Sequence, residues 1–93
     1  MRKSDELAAV LRRLMIAIAE GDAATVRGMI SRQAETLLIG SDVREWFYGV
    51  EALEVITAQT AVAPGWERTF HRLEAYEEGR IGWAAARSTV TFQ

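Results

Sequence analysis

The sequence predicts a single domain of the α+β class, and three observations support this prediction. Apolar residues recur at helical spacing over residues 5–20. Two further short helical patterns alternate with short β-branched or aromatic stretches. Two long strand-like stretches near the C-terminus flank a turn that contains Gly79. A chain of 93 residues is sufficient for one domain.

The first predicted helix covers residues 5–20 and has clear signals at both ends. Ser4 is a favoured N-cap residue, and Asp5 and Glu6 occupy the first turn, where the helix dipole favours negative charge. Gly21 is placed to end the helix in a left-handed conformation. Four apolar residues form the stripe expected to pack on the core: Leu7, Leu11, Leu14 and Ile18.

The remaining elements are predicted from breaker residues and side-chain patterns. In chain order they are a helix over residues 23–30, strands over 36–39 and 45–48, a helix over 50–61, and strands over 66–76 and 81–92. Asp22 caps the second helix, Pro64 ends the third, and Gly79 supplies the positive φ of the last turn. Residues 82–86 lack alternation, which is typical of a strand covered on both faces.

Composition and charge exclude several classes of function. The net charge is −2, and the 11 basic residues are scattered, so no basic surface for nucleic acid is predicted. The absence of cysteine favours a reducing compartment, and we expect a cytoplasmic protein. The uninterrupted apolar stretch, residues 14–19, is too short for an export signal or a membrane span, so we expect no membrane partner.

Three phrases, in this order and spacing, make the whole chain resemble a known family. The first covers residues 19–22, where one helix ends and the next begins. The second combines residues 38–42 with 45–52, and the third combines 74–79 with 82–87. Together they resemble the SnoaL-like domains of bacteria, which belong to the nuclear-transport-factor-2-like superfamily.

The resemblance implies a cone-shaped fold, in which a strongly curved antiparallel sheet wraps the long first helix and a pocket opens between sheet and helices. It also implies a homodimer formed through the outer sheet face. Family members usually continue with a further hairpin, so residues 1–93 are expected to form a single SnoaL-like domain that is incomplete at its C-terminus. A fragment of a longer product, strands supplied by a partner, or a naturally short version would each explain this.

The sequence offers two weak catalytic candidates, His71 and Asp42. His71 is the one histidine, and histidine suits acid–base chemistry near neutral pH. If strand parity holds, it shares a face with Leu73. Asp42 precedes Glu45 in a loop after Gly40, where a turn-capping role competes with catalysis. No metal-ligand cluster or phosphate loop is present in the sequence, and we predict no metal and no cofactor.

Aromatic and apolar residues supply the candidate ligand pocket. Trp46 and Tyr48 share strand parity and are expected to line one wall, although aromatic residues in so small a chain also serve as core. Arg87 has the guanidinium group suited to holding a carboxylate. The complete predicted ligand-binding set is Leu14, Ile18, Trp46, Tyr48, Trp83 and Arg87.

Three hypotheses on function follow, in order of preference. The first is a SnoaL-like domain that binds a small hydrophobic molecule in a hydrophobic pocket, without evident catalysis. The second is a dimerisation or association module with a vestigial cavity, favoured by the 49% hydrophobic content. The third is a cyclase, isomerase or dehydratase acting on a polyketide-like or steroid-like substrate, which requires His71 or Asp42 to face the cavity.

Overall fold

The computed structural model describes residues 1–62 and 65–91 of the chain. This part contains three helices, α1 (Asp5–Glu20), α2 (Ala23–Met29) and α3 (Gly49–Ala61). It also contains five strands: β1 (Arg2–Lys3), β2 (Leu37–Ile39), β3 (Trp46–Tyr48), β4 (Glu67–Glu78) and β5 (Ile81–Thr91). The strands form an antiparallel sheet in the order β1-β4-β5 and a separate β2-β3 hairpin.

These elements confirm the α+β class, the three helices and the antiparallel pairing. The predicted bounds of α1 agree with the structure, and those of the other helices differ by one residue. The sequence analysis missed β1, a two-residue strand without its own apolar pattern, which pairs with β4 at Glu77 and Tyr76. The predicted helix break at Pro64 and strand end at Phe92 lie outside the described residues.

Helix α1 begins and ends where the capping residues predict. The Ser4 side-chain oxygen accepts a hydrogen bond from the Leu7 backbone N–H at 3.1 Å, which satisfies one free donor of the first turn. Gly21 has a φ of 78° at the C-terminus. No helix within residues 1–62 and 65–91 combines the length and apolar character needed to cross a bilayer.

Small side chains on one face of β4 and β5 allow α1 to pack closely on the sheet. Ala75 is buried, and Ala84 and Ala86 are half-buried on the same face. A β-carbon added at Gly82 would overlap with a terminal methyl group of Leu7, so the helix lies directly on the backbone there. The apolar run in β5 therefore does alternate, with its smallest residues directed to the helix.

Helix α1 runs antiparallel to β4, and hydrogen bonds fix both ends of this packing. Near the start of the helix, the Ser4 N–H donates to the Ala75 carbonyl oxygen at 3.0 Å. Near its end, the Trp66 N–H donates to the Ala19 carbonyl oxygen at 2.7 Å. The last turn of α1 is therefore held beside the residues that lead into β4.

A β-bulge at His71 changes which residues of β4 face the helix. Phe70 pairs with Ser88, whereas the next pair joins Arg72 to Arg87, so β4 contains one additional residue. The prediction that His71 shares a face with Leu73 is wrong, because the bulge shifts the side-chain alternation between them.

The outer face of the β4-β5 sheet is exposed in the single chain, so no element within residues 1–62 and 65–91 covers β5 on this side. The expected cover by a second copy of the chain stays a prediction. Tyr76 and Trp83 stack there with ring centroids 5.1 Å apart, and 46% of Trp83 is exposed. Large apolar residues are rarely buried anywhere in the described chain. Its buried apolar residues are Ala17, Ala19, Val26, Ala52, Leu53 and Ala75, four of which are alanine.

We expect Ser4→Ala to lower the free energy of unfolding by about 1 kcal/mol, because it removes the side-chain acceptor at the start of α1. Urea unfolding followed by circular dichroism measures the change. Ser41→Ala, at an exposed loop position, serves as the control and should change stability by less than about 0.5 kcal/mol. Equal effects of the two substitutions would contradict the capping role.

Candidate functional site

The β2-β3 hairpin forms one wall of a cavity. Leu38 and Phe47 are paired in register and both are half-buried. Because strand side chains alternate between faces, these two residues are directed towards the body of the protein. The residues beside them are largely exposed: Leu37, Ile39, Trp46 and Tyr48. Ile39 nevertheless reaches the cavity wall at its edge.

Helices α1 and α3 and the start of β4 close the other sides. The helices contribute apolar and small polar residues to the wall: Ile18, Ala19, Ile56, Gln59, Thr60 and, just after α3, Val62. The α3 residues occur at i, i+3 and i+4, so they lie on one face of the helix. Trp66 and Arg68, two residues apart, complete the wall beside the end of α1.

The enclosed volume is about 530 Å³, within the range of cavities that bind small molecules. The wall is mainly apolar, and its polar side chains are few: Glu45, Gln59, Thr60 and Arg68. The Thr60 hydroxyl donates to the Ile56 carbonyl oxygen at 2.7 Å, so its hydrogen is already used within the helix. The remaining three groups are the ones that could recognise a polar part of a ligand.

Glu45 is held over Gly40 at the rim of the cavity. A β-carbon added at Gly40 would lie 2.7 Å from the Glu45 Cβ atom and would overlap with the carboxylate, so glycine is needed for this approach. The Gly40 N–H also donates to the Glu45 carbonyl oxygen at 2.9 Å, which closes the loop between β2 and β3. The Glu45 Oε2 atom also accepts a hydrogen bond from the Asp42 N–H at 3.5 Å, so its carboxylate is directed to this loop.

Arg68 is the basic residue of this wall. One terminal nitrogen, Nη1, donates to the Ser88 hydroxyl oxygen at 2.7 Å. The Nε atom is buried and has no hydrogen-bond partner among the described residues. Burying an N–H group without an acceptor is unfavourable, so a buried donor without a partner is uncommon in folded proteins.

The structure brings few of the predicted ligand-binding residues together. Ile18 lines the cavity. Leu14 is half-buried on α1 outside the wall, and Trp46 and Tyr48 are exposed on the opposite face of their hairpin. Trp83 and Arg87 lie on the outer face of the sheet. Any ligand-binding role of these five residues would need a surface other than this cavity.

The cavity residues that the sequence analysis missed carried only weak signals. Phe47 was passed over because the parity of a three-residue strand can be assigned either way. Ile56 and Thr60 lie on the inner side of α3, and the helical pattern does not distinguish core positions from cavity positions. Arg68 shares strand parity with Trp66, and this signal in the sequence could have identified it.

Neither catalytic candidate contributes to the cavity wall. His71 is exposed at the bulge, and its Nε2 atom lies 2.6 Å from the Thr89 hydroxyl oxygen on the outer sheet face. Asp42 is exposed in the β2-β3 loop and accepts a hydrogen bond from the Arg44 backbone N–H at 2.8 Å. An acid–base role for either residue would need a ligand bound outside the cavity.

A second depression, of about 580 Å³, runs along α1 beside Leu73 of β4. It is slightly larger, but it is more open to solvent and its lining includes five charged residues: Asp5, Arg12, Arg13, Glu20 and Asp22. Such a surface keeps its hydration and encloses little of a ligand. The cavity beside the hairpin is the better candidate site, because it is more enclosed and mostly apolar.

The chain is thus an α+β domain with a mostly apolar cavity bounded by helices, a short hairpin and one end of the main sheet. Comparison with protein families identifies the family to which it belongs. The sequence profile described as the SnoaL-like domain matches residues 7–93, nearly the whole chain. The chain therefore belongs to the SnoaL-like domain family, within the nuclear-transport-factor-2-like superfamily. No curated protein and no solved structure matched it.

We expect Arg44→Gln to raise the pKa of Asp42. Hydrogen bonds from the Arg44 side chain, and then from its backbone N–H, hold the pKa of this carboxyl below its ordinary value. A lowered pKa means that the pairing stabilises the fold above the unfolded-state pKa and is lost as pH falls through the folded-state pKa. Carboxyl ¹³C NMR titration measures the shift. Arg80→Gln is the control, and an unchanged Asp42 pKa in Arg44→Gln would contradict the assignment.

Proposed function

We propose that this SnoaL-like domain binds a small, largely apolar molecule in the cavity between the β2-β3 hairpin, α3 and the end of α1. One observation carries the proposal: a space of about 530 Å³ is bordered mainly by apolar side chains, with few polar groups. Family membership supports it, because the family has a small-molecule-binding or polyketide-cyclase-like fold.

The arrangement of the wall supports binding of an apolar body. Leu38 and Phe47 offer a flat apolar surface on one side, and Ile56 lies on the opposing helix. A ligand that fills this space removes both its own apolar surface and that of the wall from water, which favours association in proportion to the area buried. The exposed Gln59 marks a side on which the cavity reaches solvent.

Phe47→Ala should weaken binding of a neutral aromatic probe, 2-naphthalenemethanol, by about tenfold, because it removes the largest apolar face of the wall. Titration followed by ¹H–¹⁵N correlation spectra gives the dissociation constant, and the indole N–H signal of Trp66 reports on the cavity directly. The matched control is Tyr48→Ala, which removes a neighbouring aromatic side chain from the opposite face of the same strand and should leave binding unchanged.

A second variant covers the case in which Phe47→Ala does not fold. Gln59→Trp changes an exposed position of α3, so the fold should tolerate it, and the larger ring should obstruct the cavity and abolish the Trp66 shift. The proposal is wrong if the well-folded native chain shows no Trp66 response to the probe. It is equally wrong if Tyr48→Ala weakens binding as much as Phe47→Ala does.

A further inference from the structure

We propose that the ligand of this cavity carries a carboxylate or a similar oxyanion, and that Arg68 binds it. The inference rests on the proposed function, since it concerns the same cavity, and it specifies the chemical class of the ligand. An apolar body would lie against Leu38, Phe47 and Ile56, while the acidic group would reach the Arg68 end of the wall.

The position of Arg68 on the sheet is the first support. It lies on β4 before the His71 bulge, on the same face as Phe70, and its neighbour two residues earlier is the cavity residue Trp66. Its side chain is half-buried, unlike the exposed arginines on the outer sheet face, Arg72 and Arg87. Because a guanidinium group remains protonated throughout the physiological range, the site holds a permanent positive charge in a mostly apolar wall.

The unused hydrogen-bonding capacity of Arg68 is the second support. Its side-chain hydrogen bond to Ser88 uses Nη1, and the buried Nε has no acceptor among the described residues. Nε and Nη2 lie along one edge of the planar group, the edge that a carboxylate binds with two parallel hydrogen bonds. The Ser88 contact occupies the far nitrogen and leaves the Nε donor available for a ligand oxygen.

The lack of a carboxylate partner is the third support. Arg27, Arg44 and Arg72 each form an ion pair with a nearby acidic side chain on the exposed surface. Within residues 1–62 and 65–91, no ion pair shorter than 4.0 Å involves Arg68. A half-buried cation without a paired anion is costly, and a ligand anion would provide the missing charge.

Three acidic residues lie close enough to compete with such a ligand. Glu45 belongs to the same cavity wall, and Glu20 and Glu67 border a small depression that also includes Arg68. If one of them neutralised Arg68 in solution, a ligand anion would gain no advantage over a neutral ligand. The inference therefore depends on a measured preference between ligands that share a ring system and differ in the charge of their polar group.

The test compares three probes with the same ring system and different charge: 2-naphthoate, 2-naphthalenemethanol and 2-naphthylmethylammonium. At pH 7 the native chain should bind the carboxylate about tenfold more tightly than the alcohol, and the ammonium ion most weakly, because a hydrogen bond to a charged group contributes this much. Dissociation constants come from the Trp66 indole N–H shift.

Arg68→Gln should remove the preference for naphthoate and leave the affinity for the alcohol within about threefold, since it keeps a side chain of similar shape without the charge. The control, Arg87→Gln, removes the same charge from the outer face of the sheet and should retain the preference. Arg68→Lys should show an intermediate preference, because it keeps the charge and loses the paired donors.

The outcomes separate this inference from the proposed function. If the alcohol binds in the cavity and naphthoate binds no more tightly, the inference is wrong and apolar binding stands. If none of the three probes shifts the Trp66 signal, the proposed function itself fails. Should Arg68→Gln not fold, the order of the three affinities in the native chain decides, and tighter binding of the ammonium ion overturns the inference.

Discussion

The close packing of α1 against β4 and β5 is the constraint on which the rest of the structure depends. It is possible because the sheet presents Ala75, Ala84 and Gly82 to the helix, and a Leu7 methyl group rests against the glycine backbone. Towards the end of α1 the sheet presents larger residues such as Arg68. There the β2-β3 hairpin, together with α3, borders the space beside the helix. The cavity therefore lies where close packing between helix and sheet stops.

The arginines on the exposed surface and the arginine in the cavity wall have different partners. Arg27, Arg44 and Arg72 are paired with carboxylates on the exposed surface, and such pairs contribute little to stability and can be replaced at small cost. Arg68 instead sits half-buried in an apolar wall and is anchored through a neutral hydroxyl group. Because its partner is a neutral hydroxyl group and not a carboxylate, Arg68 keeps its charge available to a ligand in the cavity.

The helices could be predicted well because their signals are local. Ser4 and Gly21 fix both ends of α1 through contacts within a few residues. The candidate site was harder to predict because it depends on which face of a short strand each side chain occupies. In a three-residue strand such as β3, aromatic residues occupy both faces, and only packing against α3 decides that Phe47, not Trp46 or Tyr48, faces inward. The bulge at His71 likewise has no local sequence signature.

That bulge links the length of β4 to its chemistry. Before it, the inward positions carry Arg68 and Phe70, and after it they carry Leu73 and Ala75. Without the bulge, regular alternation through His71 would turn Arg72 and Glu74 towards α1 in place of their apolar neighbours. The additional residue therefore keeps the apolar side chains of both halves of the strand on the helix side, and a β4 that lacked His71 would keep the same inner face with regular pairing.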